Sequence, residues 1–374
     1  MTNVVPFDRL GEGNGARPRR ARAVMAGLLS VAATSTTLPI TAAPAEAIVP
    51  GPNGRIVFES GGDIFTMNPD GSVPLNLTNS PGVSDVFPAW SPDSTQITFS
   101  SDRAEARNAD VYLMNADGTG VTRLTNAPGE DRGTSWTSDG ERIVFHSSRD
   151  RDETHAFDIF TMNPDGSDQT KIFTNGSAAY VCGDSETGTI VFNSSGDPLG
   201  TNPTGDFEIF TMDIDGNNVF QVTDNTLLDS GPKWSPDCST ISYNSRDSGG
   251  FDVYRIDADG SDRVNLTNTP GVFDAFSAWS PDGTRVVFSS NRDGNFEIYT
   301  MDSGDGSDVA RLTFTEDRAD FRPDWGTGQI LIDGPPQTKA DCKNQGYKAY
   351  FRPESFKNQG QCVSYVQSNR RAKR

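Results

Sequence analysis

The sequence predicts an all-β protein, a six-bladed β-propeller closed by a C-terminal strand that completes the first blade. The first observation is a recurring phrase, which reads AWSPDGTRVVFSS at 278–290 and AWSPDSTQITFSS at 89–101, with copies at 135–147 and 233–245. The second is the spacing of the tryptophans, about 46 residues, with one missing near position 183. A period of this length, holding four short strands, is typical of a propeller blade. The tryptophans are Trp90, Trp136, Trp234, Trp279 and Trp325.

Each repeat contains short apolar runs that predict strands. The second strand of a blade recurs six times, from RIVFES (55–60) to RVVFSS (285–290), and the third recurs six times, from DIFTMN (63–68) to EIYTMD (297–302). Asp-Gly and Pro-Asp-Gly turns separate the runs and supply the left-handed backbone position of a tight hairpin. The sequence therefore predicts antiparallel blades without helices.

The two ends of the repeat region predict how the ring closes. The first unit begins directly at its second strand, whereas a surplus FRPDWG segment follows the sixth unit at 321–326. If this segment is the innermost strand of the first blade, the two ends of the chain join and no sheet edge stays open at the seam. Repetition would then let each blade bury its faces against its neighbours.

The regions outside the repeats differ in composition from the propeller, which we place at 48–334. Residues 1–47 combine four arginines within 17–22 with an apolar run at 23–33 and end in Ala45-Glu46-Ala47, a pattern that predicts a signal peptide. We expect a secreted or cell-envelope protein, exported by the general rather than the twin-arginine route, and no transmembrane anchor. Residues 335–374 are predicted to be a separate basic, cysteine-paired C-terminal module.

The charge balance limits the partners. The chain has a formal net charge of −19, and without residues 1–47 it would keep 27 basic and 48 acidic residues. Nucleic acid is therefore not an expected partner. Residues 339–374 hold nine basic residues against two acidic ones, so this segment could adhere to anionic wall polymers. We expect a monomer.

The repeat motifs resemble those of a known family. The W-S-P-D-G phrase, the S-x-R-D-G-like loop and the M-x-x-D-G turn are similar to the WD-like propeller repeats of the TolB family, which also occur in the propeller domains of prolyl-oligopeptidase-type peptidases. The resemblance covers about residues 51–326. It implies a periplasmic or secreted, non-catalytic propeller that binds proteins, in TolB a peptidoglycan-associated lipoprotein. No segment here resembles the N-terminal domain of TolB, so its transport role is not implied.

Aspartate and arginine recur at fixed positions in the blades. The aspartates precede each Trp by five residues, at the entry to the innermost strand, and the arginines follow it by twelve or thirteen. They could form structural ion pairs, or a ring at the channel mouth that binds Ca²⁺ or a basic peptide. The fourth blade has Ser177 or Ala178, and Gly196, at these places, which favours pairing, whereas Asp320 faces Gly61-Gly62 and has no arginine. The candidates are Asp85, Asp131, Asp229, Asp274, Asp320, Arg103, Arg149, Arg246 and Arg292.

The cysteines predict two disulfides of an exported protein. Cys342 and Cys362 flank a segment that contains KNQG twice and resembles a small cysteine-paired tail of secreted actinobacterial proteins. Cys182 and Cys238 begin adjacent blades and are the second candidate pair, although the sequence does not give their separation.

The sequence offers no catalytic machinery, so we predict no enzyme activity, no catalytic residue, no resident metal and no cofactor. It has no G-x-S-x-G, and its two histidines, His146 and His155, are too few for a His-rich metal centre. We interpret His155 as a loop residue and the NPDGS-type segments as hairpin turns rather than Ca²⁺ loops.

We therefore predict a module that binds a protein or a cell-envelope ligand. Loops after the second strand are long in blades two to four, at 102–109, 148–157 and 195–207, and short elsewhere, at 246–251 and 291–296. Long loops on a rigid scaffold commonly carry binding residues, so we expect the ligand against blades two to four. Two alternatives stay open: a lyase or hydrolase of polysaccharide or peptide, and a wall-attached display protein.

Overall fold

A computed structural model describes residues 53–152, 156–246 and 249–328, which form 24 strands and no helix. The strands are β1 (Ile56–Ser60), β2 (Asp63–Met67), β3 (Leu75–Asn76), β4 (Asp85–Trp90), β5 (Gln96–Ser101), β6 (Asp110–Asn115), β7 (Thr122–Arg123), β8 (Asp131–Trp136), β9 (Ile143–Ser147), β10 (Asp158–Met162), β11 (Thr170–Phe173), β12 (Ser177–Cys182), β13 (Thr189–Ser194), β14 (Glu208–Asp213), β15 (Phe220–Gln221), β16 (Asp229–Trp234), β17 (Thr240–Ser245), β18 (Asp252–Asp257), β19 (Val264–Asn265), β20 (Asp274–Trp279), β21 (Arg285–Ser290), β22 (Glu297–Asp302), β23 (Ala310–Arg311) and β24 (Asp320–Trp325). In this part of the chain, no helix is present that could span a membrane.

Six four-stranded antiparallel sheets form the blades, which confirms the predicted propeller. Five blades use four consecutive strands, and the first has the order β24-β1-β2-β3. The C-terminal strand β24 pairs with β1 in a register that sets Trp325 opposite Ile56 and Asp320 opposite Ser60. The ring is therefore closed by the two ends of the repeat region, as the surplus FRPDWG segment predicted.

The core lies between the blades, because the side chains of each strand alternate between its two faces. Val57 and Ile64 of the first blade pack against Trp90 and Phe99 of the second. Phe58, on the other face of β1, belongs to a cluster that includes Val287 of the sixth blade. All five residues of β1 are buried, which explains why the first part of each second strand is rich in apolar residues.

The two ends of the propeller carry different connections. We call the end with the hairpin turns between first and second strands, and between third and fourth strands, the turn face. The opposite end is the loop face, which carries the loops between second and third strands and the connections from one blade to the next. The predicted long loops therefore lie on the loop face, although residues 153–155 of the 148–157 loop are outside the described residues.

The fourth blade has a shifted register that the sequence did not reveal. In β12, Val181 pairs with Ile190, just as Trp90 pairs with Ile97 in the second blade. Val181 therefore replaces the missing tryptophan, which we had expected near position 183. Five residues earlier stands Gly176, so the aspartate position is taken by this glycine and not by Ser177 or Ala178. This blade lacks the acid, as predicted, but the residue in its place is Gly176.

A disulfide joins the fourth and fifth blades. Cys182 lies at the end of β12 and Cys238 in the turn after β16, and their Cα atoms are 5.8 Å apart. The described residues thus place one bridge inside the propeller. The predicted Cys342–Cys362 bridge, the signal peptide at 1–47, the C-terminal module at 335–374 and His155 all lie outside the described residues.

Candidate binding site at the channel mouth of the loop face

The predicted aspartates begin the innermost strands at the loop face, where their backbone joins neighbouring blades. The amide of Asp85 donates to the carbonyl of Gly62 at 2.8 Å, and that of Asp131 donates to Ala109 at 2.7 Å. Gly176 of the fourth blade makes the same bond to Phe157 at 3.0 Å. This backbone contact therefore does not require the acid, and the carboxylates serve a different purpose.

Three of the predicted ion pairs form. Arg103 donates to both carboxylate oxygens of Asp85 at 2.9 Å. Arg149 bonds Asp131 at 2.9 Å, and Arg292 bonds Asp274 at 3.0 Å. In each pair the guanidinium also lies over an aromatic ring of the second strand, at 5.0 to 5.4 Å from its centroid. The arginine thus neutralises the buried carboxylate and covers the sheet edge.

The fifth blade contradicts the predicted pair of Asp229 and Arg246. Arg246 follows Ser245 directly, whereas the pairing arginines stand two residues after the corresponding serine, so this side chain is exposed and does not reach Asp229. Arg263 enters from the fourth-strand side instead and donates to the Tyr243 hydroxyl at 2.6 Å and to Ser245 Oγ at 3.1 Å. Burial raises the pKa of Asp229.

Asp320 has no arginine partner of this kind, as its Gly61-Gly62 loop predicted. Ser60 Oγ donates to its carboxylate at 2.5 Å, and Thr315 Oγ1 donates at 3.3 Å. Burial raises the pKa of Asp320 to about 6. In the first blade, hydroxyl groups therefore replace the ion pair.

The five aspartates do not form an exposed ring. Each is fully buried, because the strand ends and loop-face connections cover the carboxylates. In the described part of the chain, no group of three or more His, Cys, Asp and Glu side chains could hold a metal ion. The burial of these acids favours the structural alternative over contact with Ca²⁺ or a basic peptide.

A different set of residues lines the channel mouth. Every innermost strand has a β-bulge where the third residue adopts a positive φ, between 48° and 60°. Residues other than glycine are strained in this region of backbone conformation. The residues are Phe87, Gly133, Ala178, Gly231, Phe276 and Arg322. Bulky side chains therefore stand at these positions in blades six, one and two, whereas blades three to five have small residues, and the side chains of His146 and Asn244 pack against Gly133 and Gly231.

Arg322 is the central cation of the side with bulky residues. Its guanidinium lies over Phe87 at 4.1 Å and over Phe276 at 4.6 Å, and it bonds Glu59 at 2.5 Å. Polar side chains of the second strands hold the bulges. Asn244 Oδ1 accepts the Phe276 amide at 2.9 Å, for example, and Glu59 Oε2 accepts the Phe87 amide at 3.2 Å. Neighbouring blades thus fix the backbone of the mouth.

A cluster of phenylalanines continues outward from Arg322 on the loop face. Phe276 and Phe321 are 6.3 Å apart, Phe321 and Phe296 4.5 Å, and Phe296 and Phe273 5.5 Å. Phe251 packs on Phe273 at 4.7 Å. We call these five residues the aromatic cluster. All but Phe251 are partly exposed, because the loops of blades five, six and one are short.

An ion pair crosses the channel near the turn face. Lys233 of β16 bonds Asp324 of β24 at 3.2 Å, although the sixth blade stands between their own blades. The ammonium lies 3.7 Å above the Tyr180 ring, and Asp324 also accepts the Trp90 amide at 2.9 Å. Burial lowers the pKa of Lys233, but Asp324 and Tyr180 outweigh this effect and raise it. The contact ties together four blades.

Comparison with known proteins supports this architecture. A family model described as the Tricorn protease N-terminal beta propeller domain matches residues 52–199, less than half of the chain. Similar solved structures include TolB from Acinetobacter baumannii, with a TM-score of 0.61, 20% identity and coverage of 75% of this chain and 68% of that chain. The putative TolB from Agrobacterium tumefaciens gives 0.55 and 20%, with coverage of 69% and 88%. The fold is that of a TolB-type propeller. No curated protein sequence matches the chain.

The propeller also resembles a chain of a nidogen/laminin complex, with a TM-score of 0.58, 12% identity and coverage of 73% of this chain and 98% of that chain. At these identities the likeness concerns the fold, because blades of one architecture carry unrelated functions. The site therefore has to be argued from its own residues.

Sequence reasoning missed Arg322 and the aromatic cluster of the mouth. Arg322 and Phe321 lie in the FRPDWG segment, which we used only for closure. Phe251 and Phe296 precede the acid of the third strand in the F-D-V-Y and F-E-I-Y motifs. The phenylalanine that recurs before this acid was the signal that the sequence offered for the cluster. Only the closed ring, however, brings β18, β20, β22 and β24 together at one place.

Proposed function

We propose that this chain is an exported, non-catalytic propeller that binds a protein ligand at the channel mouth of the loop face. The observation that carries the proposal is the aromatic cluster, with Arg322 at its inner end, beside the longer loops of blades two to four. Aromatic residues and arginine contribute most of the binding energy at protein interfaces. The short loops of blades five, six and one leave the aromatic cluster accessible as a contact area, and the long loops of blades two to four border it.

The long loops add ordered and apolar contacts to this surface. In the 195–207 loop, Asn202 is buried and its amide donates to the carbonyls of Gly196 and Asp206, at 3.2 and 2.9 Å. Leu199, also in this loop, is 46% exposed. Phe314, in the connection from β23 to β24 on the same face, is 73% exposed. A preorganised rim with exposed apolar side chains supports protein binding more than a flexible one.

Export is supported by the composition of residues 1–47 and by the Cys182–Cys238 disulfide, since structural disulfides persist in oxidising compartments. The non-catalytic part of the proposal is supported by His146. This buried side chain packs edge-to-face on Phe157 at a centroid distance of 5.0 Å, which gives it no access to a substrate. The described residues offer no observation that favours the lyase or hydrolase alternative.

The test is affinity capture from cell-envelope extract with residues 48–374, followed by titration calorimetry with each recovered protein in purified form. We expect the double variant Phe276→Ser/Phe321→Ser to weaken binding by about tenfold or more, because it removes two central rings. A second variant shortens the 195–207 loop to the six-residue length of the 291–296 loop, and we expect it also to weaken binding.

The matched control carries Asp259→Ser on the turn face, where the side chain lies in a hairpin turn and accepts from Ser261. It should bind like the wild type. Thermal melting establishes that each variant folds. Equal affinity of the wild type and the Phe276→Ser/Phe321→Ser variant would show that the ligand does not use this mouth.

A further inference from the structure

A cleft of about 540 Å³ lies on the turn face between the fifth and sixth blades. Its walls are the first hairpin turn of each blade, around Asp237 and Asp282, and the second hairpin turn of the sixth blade at Ser303. Trp279 and Arg255 also line it. The volume is in the range of small-molecule sites, and the place is at the opposite end of the strands from the aromatic cluster.

Arg255 stands at a different position in its blade from the corresponding arginines of the third and sixth blades. In the third and sixth blades an arginine that begins or precedes the second strand bonds a turn aspartate, Arg142 to Asp168 at 2.7 Å and Arg285 to Asp308 at 3.0 Å. The same guanidiniums bond a threonine of the third strand, which for Arg285 is Thr300 at 3.1 Å. The arginine of these blades thus belongs to the second strand and the threonine to the third.

The fifth blade exchanges the two residue types. Thr240 begins its second strand, and Arg255 stands in the third strand at the register position of Thr300. Arg255 keeps the bond to the turn aspartate, here Asp262 at 3.1 Å, and also reaches across to the Gly304 carbonyl of the sixth blade at 3.0 Å. The exchange therefore preserves the ion pair and brings a guanidinium to the wall between the two blades.

The cleft also exposes an aromatic ring and has one fixed wall. Trp279 is partly exposed, as is Trp234, whereas Trp90, Trp136 and Trp325 are buried. The indole N–H of Trp279 is already used by the Lys233 carbonyl at 3.3 Å. Cys238 stands directly after Asp237, so the disulfide to Cys182 fixes the turn that forms one wall. The site is thus preorganised, which reduces the entropy that binding costs.

The charges select against ionic ligands. Hydrogen bonds from Ser235 and Ser239 lower the pKa of Asp237. Burial opposes the same effect at Asp282, but bonds from Ser280 and Thr284 still lower its pKa. Both carboxylates therefore stay ionised and disfavour an anion, while the Arg255 guanidinium beside them reduces the attraction that they exert on a cation. Together the groups offer hydrogen-bond donors and acceptors to a neutral ligand that carries many hydroxyl groups.

We infer that this cleft binds a neutral saccharide, with one sugar ring against Trp279 and its hydroxyls bonded to Arg255, Asp237 and Asp282. The apolar C–H face of a pyranose matches an indole ring, and paired hydroxyls match a carboxylate or a guanidinium. This site is separate from the protein-binding mouth, so either proposal can fail without the other.

The experiment titrates residues 48–374 with cellobiose, maltotriose and di-N-acetylchitobiose, followed by saturation-transfer NMR and tryptophan fluorescence. We expect at least one of these sugars to bind with a Kd of about 1 mM or tighter. The variant Arg255→Thr removes the guanidinium from the cleft and places there the residue that the sixth blade has at this position, Thr300. It should bind the sugar about tenfold more weakly or worse.

Asp308→Asn is the matched control, because it breaks the corresponding ion pair of the sixth blade, and it should bind like the wild type. We expect Arg255→Thr to fold, since threonine is native at this position in four other blades. Tetralysine and a digalacturonate are titrated in the same way as cationic and anionic probes. The inference is wrong if none of the three sugars binds the wild type, if the variant binds equally well, or if only one of the charged probes binds.

Discussion

At the scale of the residue, burial decides what an aspartate does in this protein. Asp274 and Asp308 both bond an arginine at 3.0 Å, yet Asp274 is fully buried and the side chain of Asp308 is 82% exposed. A buried carboxylate that loses its partner remains as an unpaired charge, whereas an exposed one is solvated by water. The same pair of residue types therefore has a structural role at one end of the sixth blade and little effect at the other.

We expect Arg292→Gln to destabilise the protein by about 3 kcal/mol, because Asp274 is left charged and buried. Asp274→Asn should cost less, since Arg292 is partly exposed and still lies over Phe288 and Tyr299 at 5.1 and 5.0 Å. The double variant should be more stable than Arg292→Gln alone. Urea denaturation of the four proteins measures the coupling.

The exposed pair provides the control for this cycle. Asp308→Asn should change the free energy of unfolding by less than about 1 kcal/mol. Strict additivity of the Asp274 and Arg292 substitutions would contradict the structural role of the buried pair and favour a ligand-binding role.

At the scale of the element, strands with the same sequence motif differ in importance because of their place in the ring. The strand β24 is formed by the surplus C-terminal segment, but it is the innermost strand of the first blade and pairs with β1 along its length. It also contributes Trp325 to the core and Asp324 to the channel. Its removal would open β1 and the core between the first and sixth blades together.

Deleting residues 319–374 should therefore lower the melting temperature of the whole propeller, or prevent folding. Deleting only 339–374 keeps β24 and should leave the melting temperature close to that of the full chain. Differential scanning calorimetry of the two truncations makes the comparison. If both truncations melt alike, the closing strand is not what holds the ring.

At the scale of the whole molecule, buried acids are distributed around the ring on the loop face. Each third strand begins with an Asp or Glu. In five of the six blades its carboxylate accepts from the connection to the next blade, for example Glu208 from the Asn225 amide at 2.8 Å, whereas Asp110 bonds Arg123 of its own blade. Burial raises the pKa of Glu208 to about 7 and that of Asp110 to about 6. Ring stability is thus linked to pH through groups on several blades.

These acids keep a proton in the folded protein that they release in the unfolded chain between about pH 4.5 and pH 7. In this window the folded state binds more protons, so stability falls as the pH rises. We expect the free energy of unfolding to decrease from pH 5 to pH 8. Glu208→Gln, which removes one of these groups, should flatten the decrease by about 1 kcal/mol. Urea denaturation at several pH values tests this, and an identical slope in the variant would contradict it.

The sequence by itself determined the six blades, the closing strand and the three arginine pairs. Each of these follows from a residue pattern that recurs within single strands and turns and does not depend on contacts with other blades. The tertiary structure alone decided the rest. Val181 and Gly176 took the special positions of the fourth blade, Arg246 missed Asp229 by one residue, and the predicted acid ring proved to be buried. The aromatic cluster, the Lys233–Asp324 pair and the Arg255 cleft join residues from different blades. Such contacts depend on how the blades face each other around the ring, and spacing along the chain does not encode that distance.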